Sequence, residues 1–402
     1  MPGVPASPGR RVVHYRRTLF ETTETFIYTL IRSQVRYDPV VVCQSTTDPR
    51  LGHLPSVTQL HASGHGALLG IRALKALTWP FPQLEERRRQ AYNRRAAAWP
   101  QPRMVQLLRA LAPAVVHAHF LTDVEDVLSA ACEVGVPLVV NAYGVDVAAY
   151  PRNPLARARV QSTFADVDCV VALTTDMRDD LLALGCPESK IRIAAQGVPT
   201  SNVVAAEHHG LVVLAAARFL EKKGMTYLIE AARRIASLRD DVVFEIVGEG
   251  PLADELVSQA GELAGVRIRF LGGMDYEAFR QHLAEVDLVA VPSVTALNGD
   301  KEGLPTVILD AMAAGLPVVG TRHAGIPDAL IDGETGLLVE ERDVDGLLVA
   351  LQKLLDDADL RRWMGSCGRA RFDELFRADA YARRIEAVYD EVVDMSTRRS
   401  AG

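Results

Sequence analysis

Cysteine is scarce in this chain, five in 402 residues. Cys43, Cys132, Cys169, Cys186 and Cys367 lack the paired spacing of a disulfide or zinc framework, so they read as buried reduced thiols, and a reducing, cytoplasmic setting is expected. No apolar run approaches the ~18 residues that a membrane-spanning helix needs, and the Pro/Gly/Arg start has no apolar core of the kind a secretion signal carries. Internal repeats and nucleic-acid recognition motifs are also missing. With a net charge of −7, nucleic acid is not an expected partner.

What is present is an ordinary globular composition, 49% hydrophobic and 24% charged, in a chain long enough for two domains. Charge is unevenly divided: residues 1–200 hold 22 Lys+Arg against 17 Asp+Glu, and residues 201–402 hold 22 against 34. A basic first half and an acidic second half point to two bodies with different partners, and weakly to an anionic acceptor or lipid surface facing the first.

Short apolar runs alternate with helical stretches, at 11–15, 39–43, 114–118, 136–141 and 168–173, then at 211–217, 242–247, 267–271, 287–291 and 316–320. That alternation predicts an α/β chain with open parallel sheets covered by helices. A strand-like Ile191-Arg192-Ile193-Ala194 is followed by Gln196-Gly197-Val198-Pro199 and a polar stretch, which sets a boundary. Two Rossmann-like domains are therefore expected, residues 1–195 and 196–375, with 376–402 as a terminal segment. Residues 373–395 read as an amphipathic helix, with Phe376, Tyr381, Ile385 and Val388 at helical spacing. Only the first nine and the last few residues read as disordered.

The most informative stretch runs from Lys301 to Gly320. Pro305 suits a first helical turn and Gly315 the position past the end. The helix between them is apolar nearly all round, so it should be buried, and an acid inside it, Asp310, needs hydrogen-bond partners. Glu302 precedes it in a loop whose backbone N–H groups, Gly303 to Thr306, lie at the positive end of the helix dipole, where a phosphate binds well. A phosphorylated, polyhydroxylated ligand would use both parts; the plain alternative is a buried helix with one satisfied Asp.

This segment resembles the signature of two acids separated by seven residues found in retaining glycosyltransferases of family 4. The resemblance implies the GT-B architecture, with two Rossmann-like domains facing across a cleft and a C-terminal helix crossing back to the first. It is clear over about residues 190–340, partial over 110–150 and weak over 1–110. By that likeness Glu302 touches donor-sugar hydroxyls, Gly303, Leu304 and Pro305 (with Thr306) give backbone N–H groups to sugar and diphosphate, and Asp310 holds the ribose. The family's second acid is Glu, so Asp310 is one methylene short.

Other positions carry the likeness further. Arg218 and Lys223, in the loop after the 211–217 strand, resemble the cations that bind the donor diphosphate; their position outside a strand's carboxyl end suits that role, and a solvated charged loop is the alternative. Lys222 is the less favoured neighbour. Gly248, in Val247-Gly248-Glu249-Gly250, would let backbone approach the nucleotide, or is a plain strand-to-helix turn. Phe270-Leu271-Gly272 resembles the base-pocket segment. His117 and His119 bracket a strand end as core or rim histidines; their i, i+2 spacing is poor evidence for a metal, and His119 resembles a cleft residue of the family. In Asn141-Ala142-Tyr143-Gly144-Val145-Asp146, Tyr143 stands where the family has His. A tyrosine hydroxyl with a pKa near ~10 is a poor base and a good donor, so Tyr143 would orient the sugar and Asp146 the acceptor, unless the pair forms an aromatic turn with a capping Asp. Glu24 and Thr25, in the Arg16–Phe26 loop, resemble the start of exopolysaccharide-type members and would face the cleft.

Residues 79–109 interleave Trp79, Phe81, Tyr92 and Trp99 with Arg87, Arg88, Arg89, Arg94, Arg95, Arg103 and Arg109. Such a segment meets an anionic membrane or a lipid-linked diphosphate, or is an exposed helix with its aromatics packed down. Taken together, the resemblance implies a retaining transferase moving a hexosyl unit from a UDP- or GDP-linked sugar to a glycan, lipid-linked or small-molecule acceptor. No cofactor and no metal are expected, since two cations and a helix N-terminus cover the diphosphate and no Asp-x-Asp clamp occurs in the relevant segments. Location would be cytoplasmic, open to peripheral contact at the inner face of the membrane. The rivals are a sugar-nucleotide epimerase or phosphorylase on the same frame, and a non-catalytic nucleotide-sugar-binding subunit, the last motivated by Tyr143 and Asp310.

Overall fold

The computed structural model of the protein describes residues 10–19, 24–46, 57–59, 101–200 and 210–401. Among these, thirteen strands form two sheets. The first holds β1 (Arg10–Leu19), β2 (Tyr37–Thr46), β3 (Val57–Gln59), β4 (Val115–His119), β5 (Leu138–Asn141), β6 (Cys169–Ala172) and β7 (Ile191–Ile193), in the order β3-β2-β1-β4-β5-β6-β7. The second holds β8 (Leu211–Ala216), β9 (Val242–Val247), β10 (Ile268–Gly272), β11 (Leu288–Val291), β12 (Val318–Thr321) and β13 (Gly336–Val339), in the order β10-β9-β8-β11-β12-β13. Pairing from β3 to β5 and throughout the second sheet is parallel. β4, β5, β6, β11 and β12 are buried along their whole length, which is why they read as continuous apolar runs and not as alternating ones.

The chain clusters into two compact units. One comprises Met1–Asn141, Val160–Val170 and Glu386–Gly402; the other comprises Ala142–Arg159 and Val171–Ile385. In the second, the helix Met225–Leu238 lays Leu228, Ile229, Ala232 and Ile235 on a core completed by Val213, Phe244, Ile246 and Leu351. In the first, Glu386 is 1% exposed and accepts the N–H groups of Val35 and Arg36 at 2.8 Å each.

All ten expected strands form, within a residue or two at most ends, and the strand-like 191–194 gives β7. β3 and β13 are additions, edge strands of three and four residues. The single helix expected over 373–395 is divided. One helix ends at Leu375 and the next runs Ala378–Ala401, because Arg377 bridges to Val198, whose N–H and C=O engage Phe376 and Ala378. Phe376 therefore caps the earlier helix, while Tyr381, Ile385 and Val388 are buried on the later one. The cysteines are all free, but Cys132 is exposed, not buried. The arginines and aromatics of 79–99, and residues 1–9 and 20–23, lie outside the described residues.

Candidate active site

Where strand order reverses in a parallel sheet, the connections leave to opposite faces and a crevice opens at the carboxyl ends. In the second sheet the reversal lies between β8 and β11. The loops after these two strands carry Arg218 and Lys223 on one side and Glu302 on the other, and the fold brings Lys223 and Glu302 together. Lys223 Nζ lies 2.7 Å from Glu302 Oε1. Lys222 turns aside to Asp300 Oδ1 at 3.0 Å and to the Lys301 carbonyl. Arg218 is exposed and its guanidinium engages no partner among the described residues. Glu302 is 7% exposed; burial pushes its carboxyl up, yet Lys223 and Lys222 outweigh that and hold it below the ordinary value. It is an ionised acid in a nearly dry place.

Gly248 follows β9 with φ +142, and a Cβ there would lie 1.8 Å from the Ala217 carbonyl. Only glycine lets this turn pack against the segment that presents Arg218. A Cβ at Gly303 would come within 2.6 Å of the Tyr143 carbonyl, so the absent side chain lets the Tyr143 loop lie against the loop of Glu302. Asp146 is fully buried, and its Oδ1 accepts the N–H groups of Tyr143 and Gly144 at 3.0 Å each; it shapes that turn. An open hollow of about 570 Å³, lined by Val147, Pro151, Arg152, Arg157, Asp180 and Leu184 among others, adjoins it. Lys301 Nζ reaches Asp176 and Asp180 at 2.7 Å each.

The helix after Glu302 runs Thr306–Ala313 with Pro305 as its cap, and Gly315 follows at φ +73. The amides of Gly303, Leu304 and Thr306 donate to no partner among the described residues. Pro305 has no N–H, so its expected donation is corrected: it starts the helix and leaves three amides, not four, at the positive end of the dipole. Asp310 is 3% exposed and accepts the Tyr276 hydroxyl at 2.8 Å. Burial pushes its carboxyl up to about 7, with Tyr276 and Arg280 offsetting only part.

His119 lies in the first unit, where β1 and β4 adjoin at that sheet's reversal. It is fully buried with His14 and His117. With Gln34 and Asn141 oriented as they stand, one proton order fits. His119 Nε2 donates to His14 Nδ1 at 3.0 Å, His14 Nε2 donates to Gln34 Oε1 at 2.9 Å, and Gln34 Nε2 donates to the Tyr389 hydroxyl at 3.2 Å. That hydroxyl donates to His117 Nδ1 at 2.5 Å, and His117 Nε2 donates to Asn141 Oδ1 at 2.9 Å. Burial lowers all three imidazoles, His14 to about 4. Ligand atoms of the three rings lie within 4.8 Å of one another, a spacing within reach of an ion, but the relay already engages the lone pairs of His14 and His117. Nearby, Glu24 is also buried, with both oxygens on Arg16, so it presents no free carboxylate.

Two family models match the chain: "Glycosyltransferase Family 4" over residues 23–202 and "Glycosyl transferases group 1" over residues 201–371. The chain belongs to glycosyltransferase family 4. Among relatives, a putative colanic acid biosynthesis glycosyltransferase, WcaL of Salmonella typhimurium, is 31% identical over 257 residues, 62% of this chain and 63% of that protein. A GDP-mannose-dependent alpha-(1-6)-phosphatidylinositol monomannoside mannosyltransferase of Mycolicibacterium smegmatis is 31% identical over 230 residues, 54% and 60% of the two chains. The matches span about half to two thirds of the length of these curated relatives. The crystal structure of Anabaena HepE in complex with UDP superposes with a TM-score of 0.74 at 18% identity, covering 95% of this chain and 100% of that one. The fold of this family 4 member is GT-B.

Four side chains at the site were not singled out from the sequence. Tyr276 faces Asp310, Asp300 holds Lys222, and His323 with Glu341 stands behind Glu302. The nearest sequence signal was a polar His two residues beyond an apolar strand, in Thr321-Arg322-His323, which nothing local distinguishes from a rim histidine.

Proposed function

We propose that this family 4 member transfers a hexosyl unit, with retention of anomeric configuration, from a nucleotide-diphosphate sugar to a glycan, lipid-linked or small-molecule acceptor. The observation that carries the reading is the ionised, buried Glu302 held by Lys223, followed by three amides that engage no partner among the described residues, with the exposed guanidinium of Arg218 on the same strand-end loop as Lys223. Three backbone donors and two cations suit a sugar diphosphate. The donor is UDP- or GDP-linked, in keeping with the GDP-mannose of one relative's name and the UDP of the HepE complex. Residues 1–195 would serve the acceptor and 196–375 the donor, with the terminal helix returning to the first domain.

In the step proposed, the bond from the anomeric carbon to the diphosphate oxygen breaks and its electron pair leaves with the diphosphate. The acceptor oxygen bonds to the same face of the sugar, and its proton passes to the departing phosphate oxygen. Arg218, Lys223 and the amides of Gly303, Leu304 and Thr306 meet the growing negative charge, a fixed electrostatic stabilisation that does a metal ion's work here. Glu302 holds sugar hydroxyls, Asp310 the ribose, and Tyr143 donates to the sugar. Gly248 keeps the nucleotide side open, the hollow beside Asp180 and Asp146 receives the acceptor, and His119 lends rigidity. No nucleic acid takes part. No helix among the described residues is long and apolar enough to cross a membrane, and peripheral contact would rest on the basic segment 79–109.

Incubating the protein with UDP- and GDP-sugars and a panel of acceptors tests this. The expected result is transfer that Glu302→Gln slows by about 10²-fold or more while nucleoside diphosphate affinity holds. An epimerised donor, or turnover that requires added phosphate, would sink the transferase reading. Tight donor binding without any turnover would make the chain a binding subunit.

A further inference from the structure

Glu302 lies on a loop, and a loop acid needs something rigid behind it to stay in register with a sugar. Its own N–H provides the handle, donating to His323 Nε2 at 3.1 Å. That contact fixes the ring: Nε2 carries the lone pair and the proton sits on Nδ1. Nδ1 donates to Glu341 Oε1 at 2.6 Å. His323 is 1% exposed, so no solvent competes for either nitrogen.

Glu341 is itself anchored on the other side. It accepts the Thr295 N–H at 2.8 Å and the Thr295 hydroxyl at 3.1 Å, and Arg342 lies 3.0 Å from its second oxygen. Burial raises its carboxyl, but the Thr295 N–H and His323 outweigh that and keep it ionised. Thr295 belongs to the segment that leaves β11 and leads to Glu302, His323 follows β12, and Glu341 follows β13. Three adjacent strand ends are thereby tied to one backbone amide.

We propose that His323 and Glu341 are positioning residues that hold Glu302 at its working height against the donor sugar. The inference rests on the reading of Glu302 as the sugar-binding acid. Neither residue touches substrate. Their effect is to fix the amide of Glu302 so that its carboxylate meets the sugar and Lys223 together.

The test compares His323→Leu, His323→Gln and Glu341→Gln by turnover, donor KM, UDP and GDP affinity, and melting temperature. Gln at 323 can still offer an oxygen to the Glu302 N–H, whereas Leu cannot. His323→Leu is expected to lower kcat by about 10²-fold, the cost of a reacting group shifted by about 1 Å, with nucleoside diphosphate affinity within twofold. His323→Gln is expected to recover most of the loss, and Glu341→Gln to fall between. Equal kcat in the folded Leu variant, or equal losses in Leu and Gln, would overturn the proposal. Nitrogen NMR of the His323 ring in the wild-type protein gives a readout independent of turnover: a proton on Nδ1 supports the contact and a proton on Nε2 overturns it. Should the wild type turn over no nucleotide sugar, the transferase reading falls and the ring measurement still decides the Glu302–His323 contact.

Discussion

Asp310 is the place where stability and ligand binding should pull in opposite directions. Its carboxyl is raised from the ordinary aspartate value to about 7. A rise of about three, at ~1.36 kcal/mol for each, makes ionising it in the folded protein cost roughly 4 kcal/mol. Between the unfolded value of ~3.9 and the folded value, the native state holds the extra proton, so stability falls as pH rises across that window and the whole cost stands above it. Asp310→Asn removes the titration and keeps an Oδ1 to accept from Tyr276. The variant should therefore be more stable than wild type by about 4 kcal/mol at pH 8 and by only about 1.5 kcal/mol at pH 5. Urea unfolding at the two pH values, following a signal from the second unit, measures the difference. On the ligand side, a carboxylate that accepts ribose hydroxyls should be missed: UDP or GDP should bind Asp310→Asn more weakly by a charge-assisted hydrogen bond, about 1.5–3 kcal/mol. A stability gain that does not change with pH would refute the buried, neutral-leaning acid. A pH-dependent gain with unchanged nucleotide affinity would leave Asp310 a structural acid and remove the ribose contact.

The two diphosphate cations should separate by readout. Arg218→Ala, with no side-chain partner to lose among the described residues, is expected to keep stability within ~0.5 kcal/mol while weakening UDP or GDP binding about tenfold or more; Lys223→Ala should weaken binding and also destabilise by up to ~3 kcal/mol, because it leaves Glu302 buried beside one fewer cation. Calorimetric binding and melting on both variants decide this, and equal stability losses would mean that Arg218 has a structural partner. The histidine relay predicts acid sensitivity with the opposite sign to Asp310. His14 is held at about 4, below its unfolded ~6.5, so its neutral form is fully compatible with the fold above ~6.5 and about 3 kcal/mol is lost as pH falls toward 4. Unfolding of the Asp310→Asn protein at pH 7 and pH 4.5, followed by amide protection in β1 and β4, should reveal it; flat protection would mean that the rings are solvated.

The sheets were legible because their strands are buried on both faces, and such strands announce themselves as apolar runs bounded by polar turns. β3 and β13 escaped because they are edge strands and not fully buried apolar runs: β3 carries Thr58 and Gln59, and Leu338 and Val339 of β13 are only half-buried. The terminal helix was read through Phe376 because its apolar spacing continues across the break; the interruption comes from Val198, far away in sequence. Glu302 and the helix start were legible as a local pattern, whereas the approach of the Tyr143 loop to Gly303 was not. Tyr276, His323 and Glu341 were not, since each matters only through a partner between 18 and 34 residues distant. Asp146 shows the converse: the family likeness suggested an acceptor contact, while its Oδ1 accepts two N–H groups of its own turn.

Three cations that look interchangeable in Arg218-Phe219-Leu220-Glu221-Lys222-Lys223 have three different environments, and the difference bears on how a diphosphate would be met. Lys222 is fixed by Asp300 and the Lys301 carbonyl, so it stiffens the loop and contributes only its long-range field. Lys223 is bound to Glu302, and an incoming diphosphate would share it with that carboxylate. Arg218 alone presents an uncommitted fork, and a guanidinium suits two phosphate oxygens better than a point-like ammonium does. Initial capture would then fall to Arg218 and the three amides, with Lys223 drawn toward the phosphate as negative charge develops there. Lys223 would move least when the diphosphate is bound intact and most as the bond to the sugar breaks. This places the larger share of its effect in turnover, and the larger share of Arg218's in affinity.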